Sequence, residues 1–134
     1  MKPTSLQFLV VLALISFTAC NNQPDGKEAS YQNIGQEEFL KLQQQPNTIV
    51  IDVRTPGEIS QGFIKGASVF ADYNAGQFET VLPQLDTSKT YLVYCRSGAR
   101  SSNAAESMIR TGFTKVYNLA GGINDWTGEI VKPE

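Results

Sequence analysis

The stretch Tyr91-Leu92-Val93-Tyr94-Cys95-Arg96-Ser97-Gly98-Ala99-Arg100-Ser101-Ser102 decides the fold. Four strand-forming residues run into a cysteine. A short loop follows, with Arg96 and Arg100 on either side of Gly98. From Ser101 onward, Ala104, Ala105, Met108 and Gly112 recur at helical spacing and draw one packed face of small residues. The segment reads strand, tight loop, helix. A loop of this kind aims backbone N–H groups at whatever sits on the cysteine sulfur, and the helix start adds partial positive charge. With two arginines beside it, the sulfur is expected as thiolate rather than thiol, next to a hole for an anion.

The chain around this segment repeats the alternation of strand and helix. Upstream, Thr48-Ile49-Val50-Ile51-Asp52-Val53 is a near-continuous β-branched run of the kind buried on both faces of a parallel sheet. Thr55-Pro56-Gly57-Glu58 has an N-cap, proline at the first helical position and glutamate at the third, the pattern of a capping box. Tyr31–Ile34 suits a short edge strand, and Glu37–Leu42 a helix with Phe39 and either Leu40 or Leu42 inward, stopping before Pro46. Gly62–Ala67 reads as a glycine-rich turn and Ser68–Phe70 as a short strand. Gln77–Leu85 has a helical pattern that Pro83 disturbs. Lys115–Asn118 is a strand, Gly121-Gly122 a turn and Ile123–Trp126 a short helical turn. The expected class is α/β, an open and mostly parallel sheet flanked by helices. Ligands of such sheets bind beyond the carboxyl ends of the strands, where Cys95 lies.

Composition narrows the chemistry. The 134 residues suffice for one domain of ordinary size. A net charge of -2 without a Lys/Arg cluster argues against nucleic-acid binding. Histidine is absent, which excludes Cys–His and Ser–His catalytic pairs and any His-based metal site. No metal and no cofactor are expected. The two cysteines, Cys20 and Cys95, have different surroundings and form no C-x-x-C motif.

The N-terminus reads as an address. Lys2 precedes an apolar run from Leu6 to Ala19, fourteen residues, too short for an ordinary membrane span and suited to a secretory signal peptide over 1–19. Phe17-Thr18-Ala19-Cys20 resembles the bacterial lipobox, with Phe17 where leucine is usual, so Cys20 is the expected lipidation site. Residues 20–30 are then a lipidated, flexible tether and residues 31–134 the folded domain. The expected location is a bacterial cell envelope, lipid-anchored to a membrane and facing the periplasm.

Three segments together resemble the rhodanese family of sulfurtransferases. Ile51-Asp52-Val53-Arg54, Glu58 and Gly62-Phe63-Ile64-Lys65-Gly66-Ala67 resemble its N-terminal signature, with Phe63 where the family most often has histidine. Val93–Ser101 is similar to its active-site loop, and Gly112–Trp126 to its C-terminal signature. The resemblance implies a single rhodanese-like domain in which Cys95 is the nucleophile. It takes sulfur as a persulfide from a small anionic donor such as thiosulfate and yields it to cyanide or a thiol. Arg96, Ser97, Gly98, Ala99, Arg100 and Ser101 are the expected substrate-binding residues. Loop N–H groups would hold the persulfide, and Arg96 and Arg100 the donor's anionic end. Asp52, Arg54 and Glu58 are expected to form a structural ion-pair network.

Two other functions fit parts of the pattern. A persulfide carrier or docking module would need the same cysteine without rapid turnover. A cysteine phosphatase or arsenate reductase would place arginine six residues after the cysteine, whereas Ser101 stands there and Arg100 comes one place early. A disulfide oxidoreductase would need a second thiol, which lipidation of Cys20 would remove.

Overall fold

The computed structural model describes residues 28–134; the expected signal peptide, Cys20 and the tether as far as residue 27 lie outside the described residues. Strands β1 (Gln32–Ile34), β2 (Thr48–Asp52), β4 (Ala67–Phe70), β5 (Thr90–Tyr94) and β6 (Val116–Leu119) form one sheet in the order β1-β6-β5-β2-β4, and every pairing in it is parallel. β5 is central. Its residues pair in unbroken register with β2 from Thr48↔Thr90 to Asp52↔Tyr94, so the ends of both strands reach the same edge.

Alternation along the strands divides the core. Ile51, Tyr91 and Val93 face one side, where they meet Phe78 of α3 (Gln77–Val81) and Ala104, Ala105 and Met108 of α4 (Ala99–Arg110). Val50, Leu92 and Tyr94 face the other, against Phe39 of α1 (Gln36–Gln43) and Trp126. The period of two along a doubly covered strand requires this split. On α1, Phe39 is fully buried and Leu42 packs beside it, while Leu40 is left exposed. The small residues of α4 let that helix lie close on β5 and β6.

Several expectations are refined. The capping box at Thr55 is present in full: Glu58 N–H donates to Thr55 Oγ1, and Thr55 N–H donates to Glu58 Oε2, opening the short helix α2 (Pro56–Ile59). Pro83 ends α3 at Val81, and the chain continues as a 3₁₀ turn over Leu82–Gln84. Gly62–Ala67 is more than a turn. It contains β3 (Phe63–Ile64), which pairs antiparallel with β7 (Ile130–Val131) and closes a small second sheet. Gly112 is exposed rather than packed; with φ +102° it ends α4, and Phe113 N–H donates back to Met108 O at 3.1 Å.

Candidate active site

Cys95 follows directly on β5, and the next helix starts after only three residues. Gly98 makes this reversal possible. Its φ is +103°, and a Cβ there would come within 3.5 Å of Leu119 O. The helix begins at Ala99, two residues before the first residue of the small-residue face.

The reversal turns the loop's donors inward. Gly98 N–H donates to Cys95 Sγ at 3.1 Å, and the single proton of the Ser101 hydroxyl is within reach of both Cys95 Sγ at 3.4 Å and Gly98 O at 3.2 Å. Cys95 and Ser101 are both buried. Burial pushes the thiol up, but hydrogen bonds from the Ser101 side chain and from backbone N–H groups of Ser101, Gly98 and Ser97 outweigh it. The net result is a thiol held below its ordinary value, so the thiolate is favoured by fixed dipoles in a site shielded from bulk water.

Other elements hold the loop from behind. Ile123 N–H donates to Cys95 O at 2.9 Å and Asn124 N–H to Arg96 O at 3.0 Å, so the 3₁₀ turn Gly122–Asp125 caps the carbonyls that face away from the sulfur. Asn118, buried at the end of β6, donates through Nδ2 to Asn33 Oδ1 at 2.8 Å and Ser102 Oγ at 3.0 Å; Ser102 in turn donates to Gly98 O at 2.8 Å. These positioning groups were not singled out from sequence. The paired glycines were the available signal for the first, because two of them in a turn permit close backbone approach.

The charged residues sort into two pairs rather than one network. Arg54, buried, donates to both carboxylate oxygens of Asp52 and to Gly62 O at 2.8 Å, and its guanidinium stacks 5.6 Å from the Tyr94 ring centroid. Tyr94 OH accepts from Ile64 N–H at 3.0 Å, and its pKa is driven upward, first by burial and then by Asp52. Glu58 is not part of this cluster. It pairs with Arg100, Nη1 to Oε2 and Nη2 to Oε1, both at 2.8 Å. The hydrogen bond from Arg100 is the main cause that holds the Glu58 carboxyl at about 2, and Glu58 in return raises Arg100. Arg100, expected to hold the anionic end of the donor, is paired here with Glu58. Arg96 is exposed and has no ion-pair partner among the described residues. Ser97 and Ala99 are exposed at the loop's outer rim. Among the described residues no group of three or more Cys, Asp or Glu is placed to hold a metal ion.

A parallel sheet with a cysteine at the carboxyl end of its central strand, wrapped by a short loop of inward donors, is an arrangement suited to thiolate-based group transfer. The chain belongs to the rhodanese-like domain family, whose pattern matches residues 35–129. A sulfurtransferase of Allochromatium vinosum is 33% identical over 97 residues, covering 70% of this chain and 88% of its own length. The thiosulfate sulfurtransferase GlpE of Pseudomonas putida is 29% identical over 98 residues and covers 73% of this chain. The Bacillus subtilis protein YqhL is 36% identical over 81 residues, and the match spans 62% of its length. Among solved structures, a rhodanese-like domain protein of Staphylococcus aureus shares the fold with a TM-score of 0.66 at 24% identity, over 77% of this chain and 99% of that one. A rhodanese of E. coli with bound anions superposes with a TM-score of 0.55 at 30% identity, over 64% of this chain and 99% of that one.

Proposed function

We propose that this protein moves sulfane sulfur through a persulfide on Cys95. The observation that carries the reading is the set of donors on one sulfur: Gly98 N–H at 3.1 Å and the Ser101 hydroxyl at 3.4 Å, with the sulfur buried beneath the loop. Donors that lower a thiolate's energy also receive the negative terminal sulfur of a persulfide formed one bond further out. The sulfurtransferases among its relatives support the same chemistry. In the first half-reaction the Cys95 thiolate attacks the outer sulfur of thiosulfate; the S–S bond of the donor breaks and sulfite leaves with its electron pair. In the second, cyanide or a thiolate attacks the outer sulfur, and the Cys95 thiolate is the leaving group. Arg96, a loop residue that is exposed and without an ion-pair partner among the described residues, contacts the anionic end of the donor.

Mass spectrometry after incubation with thiosulfate tests this. One added sulfur atom is expected on Cys95, removed by cyanide, and absent from Cys95→Ser. A phosphate ester hydrolysed by a protein that never gains sulfur would overturn the reading. Steady turnover with soluble donor and acceptor distinguishes an enzyme from a carrier.

We propose also that Cys20 carries lipid and holds the domain at a bacterial cell envelope on its periplasmic side. The sequence Phe17-Thr18-Ala19-Cys20 after the apolar run supports it. Cys20→Ala should lose metabolic lipid labelling.

A further inference from the structure

The cation closest in sequence to a phosphatase-type anion grip is Arg100, and its fork is already filled. Both terminal nitrogens donate to Glu58, one to each carboxylate oxygen, at 2.8 Å. Glu58 is itself fixed, because its Oε2 also accepts from Thr55 N–H and Thr55 Oγ1 at 3.0 Å. The capping box of α2 therefore holds a carboxylate where an oxyanion would otherwise bind in two-pronged fashion. Arg100 stands in the first turn of α4, directly after the loop that wraps the Cys95 sulfur. The hydrogen bonds that reach the sulfur come from Gly98 N–H at 3.1 Å and the Ser101 hydroxyl at 3.4 Å.

We infer that Glu58 is a specificity-determining residue: it occupies the Arg100 fork, weakens the hold of that fork on tetrahedral oxyanions, and so favours donors whose leaving group is a thiolate over thiosulfate, which the site still accepts. This rests on the sulfur-transfer reading for its chemistry but not for its binding test. With Arg100 neutralised by its partner, thiosulfate meets one exposed arginine, Arg96, as its free cation at the loop. A dianion gains little from one solvated charge. An alkyl persulfide carries no oxyanion and has no use for the fork. The Cys95 thiolate attacks its outer sulfur, the S–S bond of the donor breaks, the alkyl thiolate departs with the electron pair, and the proton stays on the persulfide now attached to Cys95. The same occupied fork works against phosphate and arsenate at a loop that otherwise resembles theirs.

Glu58→Gln tests the assignment, because glutamine at this position retains the capping-box bond to the Thr55 backbone. It removes the negative charge and one of the two acceptor oxygens that fill the fork. The KM for thiosulfate should fall roughly tenfold or more, the gain of one charge-assisted, two-pronged contact, while kcat/KM for an alkyl persulfide does not rise. A second measurement does not need turnover: in Cys95→Ser, thiosulfate and inorganic sulfate should bind weakly by calorimetry, and adding Glu58→Gln should tighten both by a similar factor. The control is Arg100→Gln. If Glu58 acts by occupying Arg100, Glu58→Gln gains nothing in the Arg100→Gln background. An equal gain in that background would mean that Glu58 merely repels anions at a distance, and unchanged anion binding in Glu58→Gln would end the proposal outright. Either result leaves a Cys95 persulfide standing; a wild-type protein that takes up no sulfur but binds oxyanions more tightly as Glu58→Gln would do the reverse.

Discussion

Gly122 presses its Cα against the main chain of the nucleophile loop: a Cβ built there would stand 2.5 Å from Arg96 O and 2.6 Å from Cys95 O. Those two carbonyls accept the N–H groups of Asn124 and Ile123. The back of the loop is thus held at a distance that only glycine allows, and the φ of +60° at Gly122 adds a second reason.

Gly122→Ala should therefore injure the site more than the fold. The clash lies with backbone, which must move, and it moves the atoms that set where the Cys95 sulfur sits. A stability loss of about 1–3 kcal/mol is expected for a strained position of this type. Thiol alkylation would show a pH midpoint displaced upward as the inward donors lose alignment. Chemical denaturation and the alkylation profile check both, and an unchanged midpoint would show that the loop tolerates the shift.

Asp52 and Arg54 form the buried pair, at 0% and 5% exposure. Asp52→Ala leaves a buried guanidinium without its carboxylate, and Arg54 also loses the partner that aims it at Gly62 O. Breaking a buried pair from one side costs about 3–5 kcal/mol. The expected outcome is a domain that unfolds at much lower denaturant. A fully stable Asp52→Ala would mean that water reaches Arg54.

The Glu58–Arg100 pair predicts acid behaviour. Glu58 is depressed from 4.5 to about 2 in the folded domain, so its contribution is complete above the unfolded value and is lost as pH falls from about 4.5 through about 2. Both partners are partly exposed, which limits the stabilisation to about 1 kcal/mol. Wild type and Glu58→Gln should differ in stability near neutrality and converge toward pH 2. A constant difference across that range would place the effect elsewhere.

Much of this architecture is written locally. The run Tyr91–Tyr94 ends in a cysteine, and the spacing of Ala104, Ala105 and Met108 follows, so strand, loop and helix are each readable within a dozen residues. The capping box is readable for the same reason, since its partners are three residues apart. What escapes is pairing at long range. Glu58 neighbours Asp52 and Arg54 in sequence and so reads as one of their cluster, yet its partner is 42 residues away on another helix. Phe63-Ile64 is too short to read as a strand and becomes one only because Ile130-Val131 returns beside it. Arg100 also shows what residue type alone leaves out. An arginine near a helix start invites an anion, and only the fold reveals that a carboxylate of the same chain supplies it.

Arg96 and Arg100 should accordingly separate under mutation. Arg100 is tied at both terminal nitrogens, whereas Arg96 projects from the loop, exposed and without an ion-pair partner among the described residues. Its backbone is nonetheless fixed, because Arg96 O accepts from Asn124 N–H at 3.0 Å. A side chain anchored at its base and free at its tip is suited to meeting an anionic donor outside the loop. Arg96→Gln keeps the length and polarity and removes the charge. It should raise the KM for thiosulfate several-fold and leave the thermal midpoint within about 2 °C of wild type, since an exposed substitution away from packing changes stability by under about 0.5 kcal/mol. Arg100→Gln should instead lower the midpoint, because it strips Glu58 of its partner. Added salt should weaken thiosulfate saturation in the wild type and have less effect on Arg96→Gln, as a screened charge contact requires. Equal salt dependence in the two proteins, with KM unchanged, would remove Arg96 from the donor site.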